Sequence, residues 1–294
     1  MFLKIAVATD INSGISQVEA DKLGVFIKQS PVIIDGAAHF EGVDLLHDAF
    51  FQALSDCETV STSQPSLGDV SSFWNQILKT HDQIVYIPIS NGLSTASSNA
   101  SALAESEYKN KVFIVDNHRV SVTQKSSVLD AVALVESGFA ACEIKKQLEA
   151  TANDSIIYIG VDSLEYLLKS GRITPTTAAM GTALKIKPLL MIKGERLDAF
   201  AKVRSTDACK KKLLEAAATA ICDYAEKWDI DVGISHSYPN ENDAIKWEKE
   251  CRKRFQGATC FADPLTFSVA SHVGPNSFAI GISRRLARSE LETL

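Results

Sequence analysis

The alternation in the first half of the chain constrains its fold most. Short apolar runs, "KIAVAT" (4–9), "QIVYIPI" (83–89) and "KVFIVD" (111–116), are separated by segments whose apolar residues recur every three or four positions. Runs this short read as strands, whereas Val70, Phe73, Trp74, Ile77 and Leu78 share one helical face. "HFEGVDLLHDAFFQAL" (39–54) ends in a similar helical pattern. "SNGLSTASSNASALAESEY" (90–108) reads as a loop opening a helix, and "SSVLDAVALVESG" (126–138) as another helix. A further apolar run, "VFIKQSPVII" (25–34), contains a proline. Strands separated by helices build βαβ units, so a mostly parallel sheet flanked by helices is expected here.

The second half has a different rhythm. "SIIYIGV" (155–161) reads as a strand and "SLEYLLKSG" (163–171) as a short helix closed by glycine. "ALKIKPLLMI" (183–192) and "RLDAFAKVR" (196–204) flank Lys193-Gly194-Glu195, a hairpin turn. A long helix is expected from about 206 to 228, a strand at 231–238, a charged helix at 240–255, then apolar segments at 259–262 and 277–283. A hairpin among interleaved helices implies a mixed or antiparallel sheet. The expected class is α/β with two α/β domains, 1–153 and 154–294, divided near Asn153 in the turn-like "ATANDS".

Composition narrows the function. Apolar residues make up 46% of the 294 and charged residues 22%, enough for a sizeable core. A net charge of −6 with no basic run argues against a nucleic-acid partner. No apolar run is long enough to span a membrane, and the N-terminal run meets Asp10 too soon for a signal peptide. Cysteines 57, 142, 209, 222, 251 and 260 form no CxxC pair and have no zinc-like spacing to histidine, so reduced core thiols and a cytoplasmic location are expected. GxxxxGK[ST], GxGxxG and GxSxG are all absent, so neither a familiar nucleotide site nor a hydrolase elbow is expected.

Polar residues follow each expected first-half strand: Thr9 and Asp10, then Ser90, Asn91 and Ser94, then Asp116 and Asn117. Ligands of open parallel sheets bind beyond the strands' carboxyl ends, so these clusters would share one rim. "STSQPSLGDV" (61–70) adds a proline bend crowded with hydroxyls. Ser66 stands three residues before Asp69, the spacing of a helix cap, which leaves Thr62 and Ser63 as free donors. Gly92 permits close backbone approach, and Ser94 lies near a second helix start. Two helix starts with hydroxyls make a carboxylate or phosphate cradle, although capping alone explains either loop. His272 before Gly274-Pro275 and Arg172 after Gly171 are structural residues or members of the same site. Asp10 and Asp116 lack a third acid at convincing spacing, so no metal is expected.

Seven segments in register resemble the DegV family of bacterial fatty-acid-binding proteins: "AVATD", "STSQPS", "ISNGLS", "VFIVDN", "VDSLEYLLKSGRI", "IKPLLMIKGERLDAFAKVRS" and "HVGPNSFAIGI". The resemblance implies two α/β domains holding one long-chain fatty acid in an apolar tunnel between them. It implies no cofactor and no chemistry in this chain. It puts the family's carboxylate-binding threonine and serine on Thr62 and Ser94, with Ser63 beside them. The family's head-group arginine and histidine match Arg172 and His272. It further implies that the bound acid is presented to a separate ATP-dependent kinase for acyl phosphate formation in phospholipid metabolism, with Lys202 and Arg204 as candidate contacts. The chain departs from the family pattern at the rim. Asp10-Ile11-Asn12 replaces an Asp-Ser-Ser, and Leu93-Ser94-Thr95-Ala96-Ser97 replaces a Leu-Ser-Gly-Thr-Tyr. The loop after Asp116 reads "NHRVSVTQ", where the family usually has a serine and glycines. Two other readings remain open. One is an enzyme for a small carboxylate or phosphate with His272 as base, as the rim group expected to titrate near neutrality. The other is a lipid-sensing interaction protein without kinase coupling.

Overall fold

The computed structural model describes residues 3–57, 59–174, 177 and 186–286. Strands β1 (Ile5–Asp10), β2 (Val25–Lys28), β6 (Gln83–Ile87) and β7 (Val112–Ile114) form a wholly parallel sheet in the order β2-β1-β6-β7. Residues on a strand alternate between faces. Val7, Val85 and Ile87 pack on α5 (Ser121–Glu136) and α6 (Ala141–Ala150), while Ala6, Ala8, Ile84 and Tyr86 pack on α3 (Leu67–Ile77) and α4 (Ala96–Glu107). Both faces are covered, which is why these strands read as continuous apolar runs.

The second sheet is mixed and six-stranded. Its order is β10-β9-β8-β13-β11-β12, from β8 (Ser155–Gly160), β9 (Lys187–Lys193), β10 (Arg196–Val203), β11 (Ile230–His236), β12 (Cys260–Pro264) and β13 (Phe278–Arg284). Only β11 and β12 run parallel; the other neighbours are antiparallel. One face carries Ile156, Tyr158, Val232, Ile234 and Ile280 against α8 (Thr206–Ala225) and α9 (Glu241–Arg254). The opposite face carries Ile157, Ile159, Leu190, Leu197 and Ala279, and it looks toward the first half of the chain. There it meets α2 (His47–Asp56), α10 (Phe267–Val273) and a small antiparallel sheet, β4-β3-β5, of β3 (Val32–Ile34), β4 (Ala37–His39) and β5 (Val60–Thr62). Two further helices are α1 (Gln17–Leu23) and α7 (Glu165–Ser170). The mostly parallel first sheet and the mixed second one agree with the expected class.

Several local expectations change. The run at 25–34 splits at Ser30-Pro31 into β2 and β3, which belong to different sheets, since proline cannot donate to a ladder. Helix α5 starts at Ser121 rather than 126, so half of "NHRVSVTQ" is helix and not loop. Ser121 enters it with φ 53°, and every residue of its first two turns, from Ser121 to Val128, is buried. A helix buried all round loses its apolar stripe, which hid these turns from periodicity. Helices α6 and α10 and the small sheet also lay outside the expectation. For α6 a signal existed: Ala141, Ile144 and Leu148 recur at helical spacing and are buried. The hairpin forms as expected, with Lys193 paired to Arg196, so the turn proper is Gly194-Glu195. Its expected start at 183–185 lies outside the described residues. The cysteines are free, but only Cys209 and Cys251 are buried, whereas Cys142 and Cys222 are exposed. Those two are not core thiols, because they sit on the outer faces of α6 and α8. Among the described residues no helix is long and apolar enough to cross a membrane.

Candidate functional site

A cavity lies between the inner face of the six-stranded sheet and the first half of the chain. Its apolar lining comes from Ile157 and Ile159 of β8, Ile192 of β9, Leu197 of β10, Ala279 of β13, and Val269 and Val273 of α10. At one end it meets an open polar vestibule through Thr62, Ser63, Gln64, Leu93, Ser94, Arg172 and Leu197, which line both spaces. Thr62, Ser63, Ser94, Arg172 and His272, scattered over more than two hundred positions, therefore meet around one cavity.

Each is placed by a local device. Thr62 ends β5, which pairs with β3 through Val32↔Thr62. Its Oγ1 lies 2.8 Å from His272 Nε2. Ser63 donates to the Gln64 carbonyl at 3.1 Å. Ser66 caps α3, accepting from the Asp69 amide at 3.1 Å, so it serves the helix as expected. Ser94 is not the cap of α4, which is Thr95. Its Oγ accepts from the Ala96 amide at 3.3 Å, and its own amide donates to the Ser90 carbonyl at 3.1 Å. Gly171 closes α7 at φ 67°, and Arg172 follows it at the mouth, donating to the Ser170 carbonyl.

His272 sits in the last turn of α10, which packs on α7. Burial, and to a lesser extent the Arg172 guanidinium, push its pKa down to about 4. Its Nδ1 is buried with no partner. The expectation that it titrates near neutrality is therefore corrected. Removing the ring from water disfavours the charged form, and the neighbouring cation adds to that. The Thr62–His272 pair has the spacing of a nucleophile and its base, but it lacks a third group to orient the imidazole, and the imidazole is a weak base. It remains a hydroxyl and a neutral ring beside a fixed cation, suited to hold an anion.

The other rim residues divide. Asp10 lines the cavity, fully enclosed, with oxygens accepting from the amides of Asn12 (3.0 Å) and Ile89 (2.8 Å) and from Gln124 Nε2 (3.1 Å). Burial raises its pKa despite these bonds. Thr9 donates to the Ile87 carbonyl at 2.7 Å. Asp116 accepts from the Asn91 amide at 3.3 Å, and Asn117 bonds Ser127; neither reaches the cavity. Gly92 permits close approach, but to the Glu195 backbone of the hairpin turn, where a Cβ would collide. His118 Nε2 lies 3.2 Å from Glu195 Oε1, and Asp116 joins them in a cluster whose ligand atoms lie within 4.8 Å. Lys202 and Arg204 are exposed on and just beyond β10, away from the cavity lining. Sequence reading missed Gln64, whose Oε1 accepts from Asn99 Nδ2 at 3.1 Å, and the whole apolar wall. It also missed Asn12, Ser121, Ser235 and Ser268, which line the interior. No spacing along the chain links these residues.

Known proteins share this fold. A solved protein described as a fatty-acid-binding DegV family protein from Thermus thermophilus superposes with a TM-score of 0.85 at 26% identity, covering 96% of this chain and all of that one. A stearic-acid-binding protein from Eubacterium ventriosum superposes at 0.86 and 21% identity over the full length of both chains, a likeness of fold. The DegV domain-containing protein SA1258 of Staphylococcus aureus is 26% identical over 282 residues, 96% of this chain and 99% of its own. A DegV domain-containing protein of Deinococcus radiodurans is 32% identical over 216 residues, 73% of this chain and 75% of its own. The sequence model of the family described as "Uncharacterised protein, DegV family" matches residues 4–285, so the chain belongs to the DegV family.

Proposed function

We propose that this protein binds one long-chain fatty acid between two domains, dividing near residue 153, and presents its carboxylate at the mouth to a separate ATP-dependent kinase. The observation that carries the reading is the union of an apolar cavity with one polar end, where Thr62, Ser63, Ser94, His272 and Arg172 converge. Burying an acyl chain gains about 0.8 kcal/mol per methylene before ordering costs, and the hydroxyls and guanidinium hold the anion. The Thermus thermophilus relative, described as binding fatty acid, supports the ligand class. The opening of the cavity's polar end onto the vestibule supports presentation. Arg196 and Leu197 line that vestibule at the start of β10, so Lys202 and Arg204 lie on or just past the strand bordering the opening and are candidate kinase contacts.

Native mass spectrometry of protein gently purified from bacteria tests the ligand class. A bound mass that matches a long-chain fatty acid is expected; uniformly empty protein that also fails to take up added acid would overturn it. Kinase coupling is tested separately, by asking whether Lys202→Ala with Arg204→Ala abolishes acyl phosphate formation while binding persists.

A further inference from the structure

The end of the cavity opposite the mouth is polar. Cross-strand pairing traces one row of residues over the six-stranded sheet: Ala199, Leu190, Ile159, Ala279, Ser235 and Asp263. An adjoining row runs Leu197, Ile192, Ile157, Gly281 and Gly233. Leu197 belongs to the mouth, and Ser235 lies four strands away, about 19 Å at the usual strand spacing. That is the reach of a long extended acyl chain. Val122 of α5 covers Gly233 and Gly281. Ser235 stands two residues after Gly233 on the same face and therefore points to the same side.

Beyond Ser235 the row is closed by Asp263, whose carboxylate Lys125 Nζ holds at 2.9 Å, with Glu19 on the same ammonium at 2.8 Å. These groups are satisfied. Ser235 Oγ is not: the residue is 1% exposed, lines the cavity, and its hydroxyl has no partner. Asn12, 6% exposed, also lines the cavity and leaves Oδ1 unpartnered. The turn that carries it lies on this side, since a Cβ on Gly14 would come within 4.0 Å of the Asp263 Cβ. Unpaired buried polar atoms are costly in a native protein and call for a partner. A purely apolar chain end would leave both groups unpaired.

We propose that this inner end is a subsite for a hydroxyl at or near the methyl end of the acyl chain. The ligand hydroxyl would donate to Asn12 Oδ1 and accept from Ser235 Oγ, so the preferred ligands are ω- or near-ω-hydroxylated long-chain acids. The inference rests on the fatty-acid reading above and specifies its substrate class.

The test is competitive displacement of a fluorescent fatty acid by hexadecanoic acid and by ω-hydroxyhexadecanoic acid, with shorter and longer ω-hydroxy acids to match the depth. In the native protein the best-fitting ω-hydroxy acid is expected to bind at least as tightly as its unsubstituted counterpart. Ser235→Ala should shift the affinity ratio of the two by about tenfold toward the unsubstituted acid, and Asn12→Ala should shift it in the same direction. Every ω-hydroxy acid binding tenfold or more weakly to the native protein, as for a hydroxyl buried in an apolar end, would overturn the subsite while leaving fatty-acid binding intact. A ratio unmoved by either substitution would overturn it equally. Failure of both acid classes to displace the probe would overturn the fatty-acid reading and the subsite together.

Discussion

At the residue scale the polar end of the cavity rests on two residues, Thr62 and His272, that carry different consequences. Thr62 bonds the buried His272 and faces the cavity. Thr62→Ala is expected to lower fatty-acid affinity about ten- to a hundredfold, the worth of one hydrogen bond to a charged group, measured by equilibrium titration. His272 makes a pH prediction. Its folded pKa of about 4 lies below the ordinary histidine value, so the unfolded chain takes up the proton first as pH falls. Its contribution favours the folded state above the ordinary histidine range and is lost as pH drops toward about 4. Thermal unfolding of His272→Asn between about pH 7 and pH 4 should show a shallower loss of stability than the parent chain. An equal slope in both would place the acid sensitivity elsewhere, for instance on His236, which burial also pushes down to about 4.

Elements set the cavity's shape, and here the sequence was legible in part. The strand and helix periods of β1, β6, β7, α3 and α8 could be read because each pairs a consistent pattern with one environment. The buried start of α5 could not, and it packs tightly on the second sheet: Val122 sits directly over Gly233 and Gly281. A Cβ at Gly233 would meet the Val122 Cβ, which is fixed to the helix backbone and cannot swing aside. Gly233→Ala is therefore expected to cost about 1–3 kcal/mol by overpacking and to weaken acid binding, because α5 must lift from the sheet. Denaturant unfolding beside a binding titration checks both. A stable variant with unchanged affinity would mean that α5 and the sheet yield without disturbing the cavity.

Across the whole molecule, one buried ammonium ties the two halves together. Lys125 of α5 has a side chain only 5% exposed and reaches Glu19 after α1 begins and Asp263 at the far edge of the second sheet. Lys125→Met would leave Asp263 buried without its cation, a loss of about 3–5 kcal/mol. Burial already raises the Asp263 pKa even with Lys125 present. The variant should unfold at lower temperature, and its deficit should narrow at acid pH, where Asp263 takes a proton; scanning calorimetry at two pH values reads both effects. A variant as stable as the parent at neutral pH would show that the pair adds nothing beyond its own desolvation.

The sequence by itself determined the α/β class, the parallel first sheet, the hairpin of the second, and the motifs that resemble the DegV family. These follow from local periodicity, turn chemistry and the order of short motifs, all written along the chain. It also singled out Thr62, Ser63, Ser94, Arg172 and His272, which local pattern left as separate loops and only the family resemblance joined into one site. Tertiary structure decided that they meet, that burial strips His272 of its charge, and that Gly92 serves the hairpin turn. It alone set the apolar wall between the mouth and Ser235, because that wall is a row across strands whose neighbours lie far apart in sequence. Proximity across a sheet depends on strand order and register, and burial depends on everything packed around a group; neither is a property of any short stretch of chain.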